Sequence, residues 1–236
     1  MCLTTPLGYA LQPVVILMGG AASSLGQQSQ TLSFDNTVFN YHPNHSSALV
    51  PLVGGFVGAE YAYNPLWTWQ FGLAFYRTGD SSVNGEETQA PMLSLDAINT
   101  WNYHYKISST QLFFENKLFF NGQQRYHPYV LIGLGEGFNR AFDFQVTPQN
   151  SGEVATATFG SNTANDFIYM VGLGLDIDVV KQLRLGLGYR YVYLGKTEFG
   201  NGILDTGAGG NVFSLPGLQF NGSYNQEVLA QLTYLI

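Results

Sequence analysis

The sequence predicts an all-β protein: an eight-stranded antiparallel transmembrane β-barrel with four long external loops and short turns at the opposite end. Three observations carry this prediction. Charged side chains (9 Lys+Arg, 16 Asp+Glu) make up only 11% of 236 residues, where an ordinary soluble domain carries about 25%. Apolar residues recur with period two, the signature of strands whose faces meet different surroundings. The connections between these runs alternate strictly between short and long.

The elements follow in chain order. The first strand is residues 13–21, beginning at Pro13. Residues 52–63 alternate with Glu60 on the minority face, and residues 66–77 set Trp67, Trp69, Phe71, Leu73 and Phe75 against Thr68, Gln70, Gly72 and Ala74. Residues 105–120 place Leu112, Phe114, Leu118 and Phe120 opposite Gln111, Glu115 and Lys117. Residues 127–144 are ambiguous, because Gly133, Gly135 and Gly137 oppose Ile132, Leu134, Glu136 and Phe138; parity puts Glu136 and Arg140 on one face. Residues 166–179 and 183–194 alternate most cleanly, with Phe167 to Val179 and Leu183 to Tyr193 on the apolar parity. Residues 224–236 form the eighth strand.

Asn64–Pro65, 121–125 and 180–182 are tight turns, whereas residues 23–48, 78–103, 145–164 and 197–222 are long and rich in Gly, Asn, Ser, Thr and Pro. Unstructured loops of such length are uncommon in compact soluble domains. A soluble barrel would have to hold all the rings of the apolar faces inside, and an eight-stranded barrel has room only for its ordinary side chains. Turning that face to lipid removes the conflict, and closure satisfies every strand N–H and C=O in hydrocarbon. The lipid-facing parity has no charged residue between Trp67 and Phe75, Phe167 and Val179, or Leu183 and Tyr193. Trp67, Trp69, Tyr76, Trp101, Tyr103, Tyr129, Tyr191 and Tyr193, near strand ends, are expected to form interfacial girdles.

Other classes are excluded. The formal charge of −7 repels phosphate backbones, so no nucleic-acid partner is expected. One cysteine, Cys2, provides neither a disulfide framework nor a thiolate metal site. The best candidate for a transmembrane helix, Leu7 to Leu25, is interrupted by Gln12 and Pro13 and closed by Ser23 and Ser24. The first basic residue is Arg77, so no signal peptide is evident; a signal would have been removed or never included.

With strand count, loop alternation, the Gly/aromatic run Tyr129-Val-Leu-Ile-Gly-Leu-Gly-Glu-Gly-Phe138 and the last strand in view, the chain resembles Gram-negative outer-membrane β-barrel proteins. It is similar to the eight-stranded membrane domain of the outer membrane protein A type, without that family's periplasmic domain. The resemblance implies residence in the outer membrane, periplasmic placement of the short turns, and contact with outer-membrane lipid and lipopolysaccharide. It also implies a C-terminal assembly signal read by the barrel-assembly machinery. Here that signal would be Val228, Ala230, Leu232, Tyr234 and Ile236, ending on Ile236 where the family usually ends in an aromatic residue.

The charges expected in the lumen are Glu60, Glu115, Lys117, Glu136, Arg140, Asp176, Asp178, Arg184, Arg190 and Glu227. Six acids and four bases sum to −2, a largely compensated network. Eight strands leave no water-filled channel, so the expected role is structural or surface-interacting, with the loops open to external ligands or host partners. A small porin for small or hydrophobic solutes, gated by the lumen charges, is the alternative, and Phe34, Phe39 and Tyr41 could plug the barrel from the first loop. Catalysis is not expected. His45 with Ser46 and Ser47, His104 near Ser108 and Ser109, and His127 are the candidates, and no serine elbow accompanies them. Asp176 and Asp178 share a strand face without further metal ligands, Gly133–Gly137 precedes no helix as a phosphate loop would, and no cofactor is implied.

Overall fold

The computed structural model describes residues 11–25, 29–34, 37–44, 49–91, 99–121, 125–148, 156–205 and 212–236. Fourteen strands occur among them. They are β1 (Gln12–Leu25), β2 (Gln30–Phe34), β3 (Thr37–Pro43), β4 (Leu49–Asn64), β5 (Trp67–Thr78), β6 (Ser81–Pro91) and β7 (Asn99–Phe120). They continue as β8 (Tyr126–Pro148), β9 (Thr156–Phe159), β10 (Asn162–Val180), β11 (Leu183–Glu198), β12 (Gly202–Asp205), β13 (Val212–Leu215) and β14 (Gln219–Leu235).

Eight of them run β7-β5-β4-β1-β14-β11-β10-β8, every pair antiparallel, and β8 pairs β7 from Trp101↔Pro148 to Phe119↔Tyr129, closing the ring. The seam between the first and last elements is long: β1 pairs β14 from Val14↔Leu235 to Leu25↔Tyr224. The turns at one end are short. Asn64 caps the β4–β5 turn, its Oδ1 accepting the backbone N–H of Leu66 and of Trp67, each at 2.9 Å.

At the other end the strands do not stop where loops were expected. β7 continues back to Asn99 and pairs β6, β6 pairs β3, and β3 pairs β2. A separate three-stranded sheet, β13-β12-β9, packs against this extension. The expected irregular loops are therefore largely strand, and the first loop builds wall rather than plug, with Phe39 and Tyr41 pointing inward from β3. Three irregularities hid these strands by breaking the period of two. Asp143 bulges with φ 58, held by Lys106 Nζ at 2.9 Å and Gln145 Nε2 at 2.9 Å. Gly195 (φ 76) and Gly222 (φ 73) bulge the β11–β14 pair. Gly195 is required, because a Cβ there would sit 2.5 Å from that of Asp166, whose carboxylate accepts the Lys196 N–H at 2.9 Å.

Strand β7 displays the consequence. From Trp101 onward its odd residues face inward. Between Leu112 and Phe120 the outward residues are Leu112, Phe114, Asn116, Leu118 and Phe120; between Asn102 and Thr110 they are Asn102, His104, Lys106, Ser108 and Thr110. The inward side inverts in the opposite sense, from Gln111, Glu115 and Lys117 to Trp101, Tyr103 and Tyr105. The same change falls at Phe75/Arg77 on β5 and Tyr193/Lys196 on β11. On β5 the apolar run spans residues 67–75, close to the roughly 9–11 residues with which a tilted strand crosses a bilayer. The wall thus has an apolar belt near the short turns and a water-facing collar beyond it.

Candidate functional site: a tiered lumen

Inward residues of the belt form two ionic tiers. Nearest the short turns, Arg184 bridges Glu60 (Nη1–Oε1 2.6 Å) and Asp178 (Nε–Oδ1 2.9 Å). Gln70 Nε2 donates to the same Glu60 oxygen at 2.9 Å, and His127 joins Asp178 (2.8 Å) to Asn121 (2.8 Å). Asn121 in turn donates to Thr68 at 2.7 Å, so this tier ties β4, β5, β8, β10 and β11 together across the mouth.

The second tier is fully enclosed. Arg190 pairs with Glu227 and lies with Cζ 3.5 Å from the Tyr76 ring centroid. The Tyr76 hydroxyl donates to Glu115 at 2.7 Å, Glu115 meets Lys117 at 3.3 Å, and Lys117 donates to Gln231 at 3.1 Å. Gln231 Nε2 contacts both Tyr129 (3.0 Å) and Asp176. A buried charge left unpaired costs several kcal/mol, so the ion pairs of the two tiers are what let β4, β7, β11 and β14 carry ions inward.

Apolar side chains fill the space between: Ile16, Met18, Phe56, Phe113, Phe119, Leu131 and Met170 are buried here. The lumen is more aromatic than the sequence suggested. Tyr76, Tyr129, Trp101 and Tyr103, expected in the interfacial girdles, all point inward. The outward rings are Trp67 and Trp69 with Tyr63 and Phe120 at the short-turn edge, and a stack of Tyr169, Tyr193, Tyr191 and Tyr224 at the far edge.

Of the ten lumen candidates, Glu60, Glu115, Lys117, Asp176, Arg190 and Glu227 are buried, and Asp178 and Arg184 are half-buried on the same inward face. Glu136 and Arg140 are corrections. They face outward with Ile132, Leu134 and Phe138 at the far edge of the belt, where Asn165 donates to Glu136 at 3.0 Å and Arg140 lies over Phe142 at 5.0 Å. Parity decides against charge here, because the inward glycines of β8 are needed: a Cβ on Gly133 would meet Met170 at 2.5 Å, and one on Gly137 would meet Ile168 at 2.7 Å. Losing one acid and one base leaves the lumen at five acids and three bases, still −2. Val228, Ala230, Leu232, Tyr234 and Ile236 all face outward.

Above the belt, small polar residues (Thr78, Ser109, Asn139, Thr197, Ser223) surround a cavity of about 30 Å³. Beyond it lies a second core, where Tyr41, Tyr103, Tyr105, Phe144, Phe159, Phe199 and Phe220 pack at centroid distances of 5.0–6.4 Å. Glu87 is buried within it, facing Tyr41 and Trp101 across its two neighbouring strands and accepting one hydrogen bond, from Gln89 at 2.8 Å. Burial pushes its carboxyl up to about 7, with Gln89 and Tyr41 only partly opposing the shift. Burial, together with Glu87, also raises the Tyr41 and Tyr103 hydroxyls. Gln70 and Gln111 lie inward, on the polar parity expected of them, whereas sequence reasoning missed Glu87 and Gln231; their inward parity with Val83 and Leu229 was the available signal.

Among the histidines, His104 meets Asn84 (2.9 Å) rather than a serine, and His45 with Ser46 and Ser47 lies outside the described residues. His42 instead meets Ser29 at 3.0 Å on the water-facing collar, with no acid on its second nitrogen among the described residues.

A closed antiparallel ring with a continuous apolar belt, aromatic edges and ions kept inside defines an integral β-barrel of the bacterial outer-membrane class. In outline the chain is similar to solved barrels of that class. They include the outer membrane protease OmpT of Escherichia coli (9% identity, 99% of each chain, TM-score 0.49). OprG of Pseudomonas aeruginosa matches at 12% identity over 96% of this chain and 98% of that one, TM-score 0.49. Neisserial surface protein A matches at 14% over 93% and 96%, TM-score 0.39. No protein-family model matches the sequence, and no curated protein matches it.

Proposed function

We propose that the chain is a non-conducting, non-catalytic outer-membrane barrel whose rigid collar presents a binding surface outside the cell. The observation that carries this reading is the filling of the lumen. Within the barrel the cavities are about 10 Å³ around Arg190 and about 30 Å³ beneath the collar, no more than water-sized, while a polar hollow of about 310 Å³ lies in the collar between Ser29–Thr31 and Gln219–Asn221. A porin needs a continuous aqueous path, whereas among the described residues the two ionic tiers and the packed rings of the second core cross the lumen. The collar supports the binding role: its strands hold outward polar side chains such as Asn84, Glu86, Asn102 and His104 on a fixed frame, which lowers the ordering cost of recognition. Outer-membrane lipid and lipopolysaccharide are the proposed surroundings of the belt. The outward row Val228, Ala230, Leu232, Tyr234 and Ile236 is the proposed signal for the assembly machinery.

Planar-bilayer recording of the refolded protein tests the closed barrel. Insertion without discrete conductance steps is expected; steady unitary channels at neutral pH would overturn it and favour the small-porin reading.

A further inference from the structure

The lipid-facing belt carries one feature that neither the lumen nor the collar explains. Between the ridge of Tyr61, Tyr63, Trp67 and Trp69 and the ridge of Val130 and Ile132 runs a groove of about 590 Å³ whose floor is Asn116 and Leu118 of β7. Asn116 is the middle of the five outward residues from Leu112 to Phe120, and its register partners are Phe71, the middle of the five from Trp67 to Phe75, and Ile132. It therefore sits at half-height in the belt. Its side-chain amide makes no hydrogen bond among the described residues.

An amide with no partner in hydrocarbon costs several kcal/mol, which the backbone itself avoids by closing the barrel. Lipids cannot relieve it: at the middle of the bilayer phospholipid and lipopolysaccharide offer only methylene and methyl groups, their polar groups lying at the interfaces. The partner must bring a polar group to that depth inside an apolar shell. The neighbouring ridge has that character. Trp69, paired with Leu118 and so only one outward position from the mid-belt Phe71–Asn116 pair, is nearly half exposed to lipid at 47%, and its indole N–H is a donor that an amide oxygen accepts. Ridge and groove lie on adjacent strands, the arrangement a two-fold interface requires, in which each copy offers the knob that fills the other's hole.

We propose that this groove is where two copies of the chain associate side by side in the membrane, each receiving the other's Trp69 ridge, with the Asn116 amide hydrogen-bonded across the interface. The proposal concerns the lipid-facing wall and is independent of whether the lumen conducts.

The test is the oligomeric state of the full chain in phospholipid vesicles by single-molecule photobleaching, with native mass spectrometry from detergent alongside. Wild type is expected to be dimeric. Asn116→Leu, which suits lipid better and so folds at least as well, is expected to associate on the order of ten-fold more weakly. Trp69→Ala is expected to do the same, and unboiled gel mobility checks that each variant is a folded barrel. A monomeric wild type, a dimer indifferent to both substitutions, or a monomer retaining a lipid or another protein in the groove would overturn the proposal.

Discussion

Replacing Glu87 with Gln should stabilise the collar at alkaline pH and leave it unchanged in mild acid. The Glu87 carboxyl is fully buried, and its ordinary value of 4.5 is raised to about 7 by burial. A carboxyl whose folded-state value lies above its unfolded one binds its proton more tightly when folded. Its contribution is fully present below about 4.5, declines as pH rises between 4.5 and about 7, and is lost above that. That rise from 4.5 to about 7 corresponds to about 3.4 kcal/mol, at about 1.36 kcal/mol for each tenfold in proton affinity. Gln fills the same space, keeps an oxygen for the Gln89 donor and never ionises. The assay is amide hydrogen exchange of the β6 and upper β7 segments, wild type against Glu87→Gln at the same pH, which cancels the intrinsic pH dependence of exchange. At pH 8.5 the variant should exchange about three-hundred-fold more slowly, the factor that a rise from 4.5 to about 7 implies. At pH 4.5 the two should agree, and the belt segment of β7 should be unaffected at either pH. Faster exchange in the variant at pH 8.5, or no difference at all, would mean that Glu87 is hydrated or paired as an anion.

Two further outcomes follow from the belt. Leu187→Arg puts a cation on the lipid face, at a cost of about 2–4 kcal/mol near mid-membrane. Gly186→Ser is no benign control, because its Cβ would lie 2.1 Å from Asp176 Oδ1 and 2.6 Å from Gln231 Nε2; both should reduce the fast-migrating folded band on unboiled gels, the arginine more. In the lowest tier, Arg184→Met strips Glu60 and Asp178 of their shared cation and should cost about 3–5 kcal/mol in urea unfolding from lipid, whereas Glu136→Gln at the belt edge should change stability by less than about 0.5 kcal/mol.

The belt was legible because one physical rule governs it: a residue's parity decides whether it meets lipid, and lipid tolerates no ions. Where parity and charge disagreed, at Glu136 and Arg140, parity was right, since the glycines opposite them admit Met170 and Ile168 from the neighbouring strand. Depth was not legible. Trp101 and Tyr103 carry the composition of an interfacial girdle, and nothing in the sequence says that they lie beyond the interface with their faces reversed. Nor does it mark the residue at which parity slips, because Asp143 is an unremarkable bulge residue until Lys106 and Gln145 are seen to hold it. The partners within the lumen were equally hidden. Arg190 and Glu227 are 37 residues apart, and only the β11–β14 register sets them side by side.

That reversal along a single strand explains why the long connections are rigid here. A hairpin leaving the membrane enters water, where its outward face no longer needs to be apolar, while its inward face loses the bilayer's help in excluding water. Strand β7 meets both demands by exchanging Leu112 and Phe114 for Lys106 and His104 outside, and Gln111 and Glu115 for Tyr105 and Tyr103 inside. The belt can hold ions in its lumen because all but Asp176, which meets Gln231, have a counter-ion at contact distance, and the surrounding hydrocarbon keeps the wall closed. The collar has no such wall support and is held instead by ring packing between the main sheet and the β13-β12-β9 sheet. Glu87 is the exception to that division, an ionisable group placed in the tier built from rings, and so the collar rather than the ion-filled belt is where pH should act first.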